Sequence, residues 1–298
     1  MTRRPPLGDR EDRCARRSEA AAEPLAGTAS TIRRWLLVEH PGPWGRDGLL
    51  DARLPDGLGE RLRQLERRAG ARVLLVRRPS RSLGAATTCI AVDTADGWIG
   101  RATLAAIEEV PELHPADRGA FPATAGSPVA VVCTHGRRDA CCAERGRPLA
   151  AATAARFPDA VWESTHVGGD RFAGNLVIFP EGLVFGRVAP ARGADVIEAY
   201  TRGSIALDEY RGRTSEPMPV QAAEAAVRTR LGIDGIDDVR PASYERDGAR
   251  ATVTLRLPSG QARVELERKE LAPMRLTCAA ADEQRPSTWV ARSFEIDD

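Results

Sequence analysis

A mixed α/β fold with a small α+β appendage is expected from three features of this 298-residue sequence. Short apolar runs alternate with helical stretches, the same order of runs occurs twice, and the chain beyond residue 219 changes to alternating strand patterns. Hydrophobic residues at 42% and charged residues at 29% supply enough apolar surface for real cores, which excludes disorder of the whole chain. The length suits about two domains with room for a smaller third.

The first unit is read over residues 27–120. It opens with a buried strand over 31–38 (TIRRWLLV), ended by Pro41, Gly42, Pro43 and Gly45. Leu58, Leu62, Leu65 and Ala69 then recur at helical spacing, with Arg and Glu on the opposite face. A short strand over 72–76 follows, then two strands over 88–92 and 98–101 around a turn at 93–97, and a short helix over 103–110. The second unit, 121–213, repeats that order: strand 128–133, helix 142–157, strand 160–164, paired strands 176–179 and 183–188 across Pro180, Glu181 and Gly182, and a closing helix marked by Val196, Ile197, Tyr200 and Ile205. Two β-α-β-β-β-α units are expected, and a strand-helix-strand start followed by an antiparallel pair is the thioredoxin-like arrangement. After a linker at 214–219, a small α+β module over 219–298 is expected. It comprises a helix through Val220, Ala223, Val227 and Leu231, a hairpin over 251–257 and 262–266, and strands at 275–278 and 289–294.

Charge narrows the function classes. Lys+Arg 43 against Asp+Glu 42 leaves +1, without the basic footprint of a general nucleic-acid binder. Lys269 is the only lysine, which we read as a coding bias toward arginine rather than a phosphate-binding device. No run approaches the ~18 apolar residues of a membrane span. Residues 1–26 mix Arg with Asp and Glu around no apolar segment, so a solvated, mobile leader is expected rather than a secretory signal. Six cysteines are too sparse for a disulfide scaffold, which makes a reducing cytoplasm the expected compartment.

Half of the cysteines and half of the histidines fall between Cys133 and His166. Cys133 ends a strand, and Cys141 and Cys142 stand where a helix begins, a position that favours thiolate. His166 and Asp170 flank the flexible pair Gly168 and Gly169. Thiolate, imidazole and carboxylate in this pattern point to zinc or an iron–sulfur cluster rather than magnesium or calcium. Spacing alone leaves open that these side chains never meet. Cys89 and Cys278 are expected as core residues and Cys14 as an incidental leader residue. His135 is expected as a loop histidine, and His40 and His114 carry no role. Arg137, Arg138 and Arg171 are expected as solvated loop residues.

The stretches Cys133-Thr-His-Gly-Arg-Arg-Asp-Ala-Cys-Cys142 and His166-Val-Gly-Gly-Asp-Arg-Phe-Ala-Gly-Asn175 carry a family resemblance. So do Glu23-Pro-Leu-Ala-Gly-Thr28 and Trp35-Leu-Leu-Val-Glu-His-Pro-Gly-Pro-Trp-Gly45. Together they resemble the sucrase/ferredoxin-like family, over about residues 14–210. The resemblance implies a thioredoxin-like ferredoxin domain with a 2Fe-2S cluster held by Cys-x8-Cys and His-x3-His, exchanging electrons with an unidentified redox partner protein. By position the ligands fall on Cys133, Cys142, His166 and Asp170, the last a carboxylate where the pattern has a second imidazole. Cys141 is the alternate ligand, although neighbours on a helix point ~100° apart, which argues against Cys141 and Cys142 serving one cluster. The first unit lacks the cysteines and the glycine loop and is expected to be a degenerate, structural repeat. Three other functions are weighed against the electron carrier: a structural zinc module, a dithiol oxidoreductase without the usual Cys-x-x-Cys, and a sucrose hydrolase for which no pair of carboxylates stands out.

Overall fold

A computed structural model describes residues 12–80, 86–124 and 128–297. The first half contains β1 (Arg34–Glu39), β2 (Ala71–Arg77), β3 (Thr87–Asp93) and β4 (Trp98–Leu104), and the second β5 (Val129–Cys133), β6 (Val161–Ser164), β7 (Leu176–Phe179), β8 (Leu183–Phe185) and β9 (Tyr210–Arg213). They form one nine-stranded sheet in the order β4-β3-β1-β2-β6-β5-β7-β8-β9. In each half a central parallel pair is flanked by an antiparallel pair, β4-β3-β1-β2 in one and β8-β7-β5-β6 in the other. This is the arrangement expected of the two units. The halves meet edge to edge where β2 and β6 pair antiparallel at Val76–Ser164 and Arg77–Glu163.

Side-chain alternation explains how that sheet is covered. Trp35 and Leu37 point to one face of β1, where they join Leu74, Val131, Cys133, Val177 and Phe179 in a core shared by both halves. Trp35 meets Phe179 edge to face at 5.4 Å, and its indole N–H donates to Ile32 O. Leu36 and Val38 point the other way, onto Leu58, Leu62, Leu65 and Ala69 of α2 (Leu58–Ala69). The corresponding face of the second half is covered by α3 (Ala140–Ala154) and α4 (Gly193–Thr201).

Several elements differ from expectation. Instead of a helix over 103–110, β4 runs on to Leu104 and a 3-10 turn follows at Ile107–Glu112, where Pro111 prevents continuation. The expected leader is folded from residue 12 onward. Helix α1 (Cys14–Ala20) buries Cys14, Ala15 and Ser18 against the second half, while residues 1–11 lie outside the described residues. Among the described residues, no helix is long and apolar enough to cross a membrane.

The C-terminal part is an antiparallel meander of β10 (Arg240–Asp247), β11 (Arg250–Arg256), β12 (Gln261–Glu270) and β13 (Ser287–Asp297). Helix α5 (Met218–Leu231) packs on Ala251, Val253, Leu255, Ala262, Val264 and Leu266. Residues 275–278 form no strand, and β10 is exposed and polar along most of its length. The stretch expected as a linker is a tight turn, because the buried Gln221 side chain bonds both backbone groups of Ala29 and the carbonyls of Arg213 and Glu216. A fully buried ion triad completes the joint. Glu224 Oε1 accepts from Arg213 Nε at 3.1 Å and Arg228 Nε at 3.0 Å, and both arginines donate onward to the carbonyl of Ile236.

Removing Glu224 leaves two buried guanidinium groups without an anion. Glu224→Ala is therefore expected to destabilise the protein by about 3–5 kcal/mol in urea unfolding.

Candidate metal centre

Three elements bring Cys133, Cys142 and His166 together at the seam between the halves, with Asp170 beside Cys142 and His166. Cys133 ends β5, Cys142 lies in the first turn of α3, and His166 and Asp170 follow β6 on the glycine loop. Gly168 and Gly169 take φ values of +100° and +78°, which a side chain would strain, so the loop needs glycine there. A close approach at Gly146 seats α3 on the strand end, since a Cβ at that position would stand 2.0 Å from Cys133 O.

The His166 ring presents Nδ1 to both thiols, 3.9 Å from Cys133 Sγ and 4.0 Å from Cys142 Sγ. Asp170 Oδ1 lies 3.1 Å from the same nitrogen and accepts from Cys142 Sγ at 3.2 Å. Donor atoms of Cys133, Cys142 and His166 lie mutually within 4.8 Å. Hydrogen bonding from Cys142, supported by His166 and the backbone of His135, holds the Cys133 thiol well below its ordinary range despite burial. The same bond, with burial, pushes Cys142 up. Burial would lower His166, but its contact with the Cys133 thiolate outweighs this and raises it. Burial also raises Asp170.

The surrounding residues explain why the other quoted motifs belong to this site. Trp44 packs edge-on to the His135 ring, whose Nε2 bonds Gly45 O at 2.8 Å, so the first half props the loop after Cys133. Behind the glycine loop lies Arg211, fully buried and pushed down to about 9 by burial, hence still cationic at neutral pH. Arg211 donates to Asn175 Oδ1 at 2.7 Å, Gly168 O and Thr28, while Asn175 Nδ2 donates to Gly169 O. Glu23 pairs with Arg171 at 2.8 Å, which makes Arg171 part of this scaffold rather than a solvated loop residue. Arg137 and Arg138 are exposed as expected. Arg211 carries no signal in the sequence, because its partners Thr28, Gly168 and Asn175 lie far from it along the chain.

Cys141 turns away from this group. Its Sγ lies 3.6 Å from Cys14 Sγ and 3.4 Å from Cys278 Sγ, and Cys278 is 3.6 Å from Cys14. Asp139 joins them, raised to about 7 mainly by burial. Hydrogen bonds from Cys14 and Cys141 pull the Cys278 thiol far down. Cys14 and Cys278 are therefore neither incidental nor simple core residues. Only Cys89 is a lone core thiol, pushed up to about 12 by burial. His40 serves the backbone, through Arg53 O and the Gly42 N–H, and the exposed His114 accepts from the Ala116 N–H.

Gly146→Ala is expected to force α3 off the end of β5, lowering stability by about 1–3 kcal/mol in urea unfolding. An unchanged midpoint would contradict the close approach as the reason for glycine.

Neither the curated proteins nor the solved structures contain a match to this chain. A family model described as "Sucrase/ferredoxin-like" matches residues 25–212, more than half of the chain and the span that contains β1 to β8 and all of β9 but its last residue. By that match, which takes in the motifs around Cys133, Cys142 and His166, the chain belongs to the sucrase/ferredoxin-like family.

Proposed function

We propose that the protein is an electron carrier whose second half binds a 2Fe-2S cluster through Cys133, Cys142, His166 and Asp170. The observation that carries this reading is the meeting of two thiols, one imidazole and one carboxylate, from three separate elements, with neighbouring donors 3.1–4.0 Å apart. The donor chemistry fits: thiolates are the usual cluster ligands, and imidazole replaces thiolate in high-potential centres. The left-handed backbone of the glycine pair sets the turn that places both His166 and Asp170 beside Cys142.

When bound, the cluster supplies one-electron exchange. The protein's own residues do the rest. The shared core excludes water from Cys133 and Cys142, and the His135 backbone bonds the Cys133 sulfur. Arg211 fixes the glycine loop and adds a buried positive charge near Asp170. The His166 side chain, 20% exposed, borders a cleft of about 360 Å³ in which Asp47 and Glu66 are paired to Arg63 and Arg72, leaving Arg46 and Arg138 as its excess charge. A redox partner with an acidic patch suits that cleft. The carboxylates here serve sucrose hydrolysis poorly, because Asp139 and Asp170 are buried and bonded to N–H or thiol groups rather than flanking an open cleft. A mononuclear zinc site is the second reading, favoured by the mutual 4.8 Å limit on Cys133, Cys142 and His166.

Anaerobically isolated protein is expected to be coloured, with about two irons and two sulfides per chain. Cys133→Ser and Cys142→Ser are expected to abolish the colour and Cys141→Ser to retain it. A colourless chain with one zinc on Cys133, Cys142 and His166 supports the second reading instead.

Ligand charge sets the expected potential. Two thiolates and one carboxylate leave an oxidised cluster at about −1, between the −2 of four thiolates and the 0 of two thiolates with two imidazoles. Redox titration should therefore place it above the roughly −400 mV of four-Cys plant-type ferredoxins, and Asp170→His should raise it further. A wild-type value at the four-Cys level contradicts ligation by Asp170.

A further inference from the structure

We infer that Cys14, Cys141, Cys278 and Asp139 form a second metal site, a structural zinc that clasps α1, the start of α3 and the C-terminal module together. The three sulfurs make a nearly equilateral triangle with sides of 3.4, 3.6 and 3.6 Å. An ion about 2.3 Å from each of three sulfurs at tetrahedral angles holds them ~3.8 Å apart, so the triangle is already close to the size one zinc needs. A polynuclear cluster would spread its thiolates wider than a single ion does. One disulfide would use two of these thiols and strand the third.

The fourth corner is Asp139, with carboxylate oxygens 3.8 and 3.9 Å from Cys14 Sγ. Its orientation is fixed before any ion arrives: Oδ1 accepts the Cys141 N–H at 2.9 Å and Oδ2 the Cys278 N–H at 2.6 Å. Carboxylate ligands are commonly steered by such bonds. Cys14, Cys141 and Asp139 are buried and Cys278 is partly exposed, which suits a closed four-ligand site with no position left for a substrate. Soft thiolates with one oxygen select zinc over calcium or magnesium. Arg13, Arg16, Glu144 and Arg145 stand around a surface cavity of about 340 Å³ at Cys141, which offers a route for the ion. Binding sends the thiol protons to solvent with no change in oxidation state.

The ligands lie up to 264 residues apart, so one ion would close most of the chain into a loop. It would also hold Cys141, and with it the first turn of α3 that carries Cys142. This assignment uses none of the proposed cluster ligands and stands independently of that reading.

The test is metal analysis of the full-length chain purified with zinc in the medium, alongside Cys14→Ser, Cys278→Ser and Cys133→Ser. About one zinc per chain is expected in the wild type and in Cys133→Ser, falling at least tenfold in Cys14→Ser and Cys278→Ser. Cobalt titration of metal-stripped Cys133→Ser protein should saturate at one equivalent, with the intense visible bands of a tetrahedral thiolate site, whether or not the other variants fold. Zinc retained in Cys278→Ser, a six-coordinate cobalt spectrum, or a disulfide among these three cysteines in freshly isolated protein would overturn the assignment. Loss of zinc in Cys133→Ser with retention in Cys278→Ser would move the ion to the other thiol pair, also overturning it.

Discussion

The first turn of α3 governs both thiol groups. Asp139 caps the helix by accepting the Cys141 N–H, which fixes the rotation of the turn. Successive residues then diverge by ~100°, so Cys142 faces Cys133 and His166 while Cys141 faces Cys14 and Cys278. Gly146, one turn further on, lets the helix close on the end of β5 and sets its distance from Cys133. A small rotation or lift of this helix would disturb both groups at once.

Around that helix start, buried polar contacts do what apolar packing alone would not. Arg211 ties the His166–Asp170 loop to Thr28 and Asn175, and Glu23 with Arg171 holds the segment just before Thr28. Arg213, Glu224 and Arg228 lock β9 to α5, and so fix the C-terminal module against the large sheet. Each network is directional, and loss of one member leaves buried charge or unpaired N–H groups behind. The module that supplies Cys278 is thus held by a polar joint at α5 as well as by the thiol group.

The repeated β-α-β-β-β order was legible because its strands are short apolar runs and Leu58, Leu62, Leu65 and Ala69 mark a helix face. Residue type and spacing marked Cys133, Cys141, Cys142, His166 and Asp170 as candidates, the family resemblance narrowed them to Cys133, Cys142, His166 and Asp170, and the split between Cys141 and Cys142 followed from helix geometry. What stayed hidden depends on long-range pairing. Cys14 sits in a short, charged helix with one buried stripe, Cys278 in an irregular loop, and nothing local links them. Strands β9 and β10 carry no apolar alternation to mark them, because β9 buries arginines whose partners lie elsewhere in the chain and β10 faces solvent.

X-ray absorption at the zinc and iron edges of one anaerobic sample tests the division of adjacent cysteines between two metals most directly. Zinc with three sulfurs near 2.3 Å and one oxygen is expected, together with iron bound to sulfur and to nitrogen or oxygen. Zinc with a histidine nitrogen in its shell, or a sample carrying a single kind of metal, would contradict it.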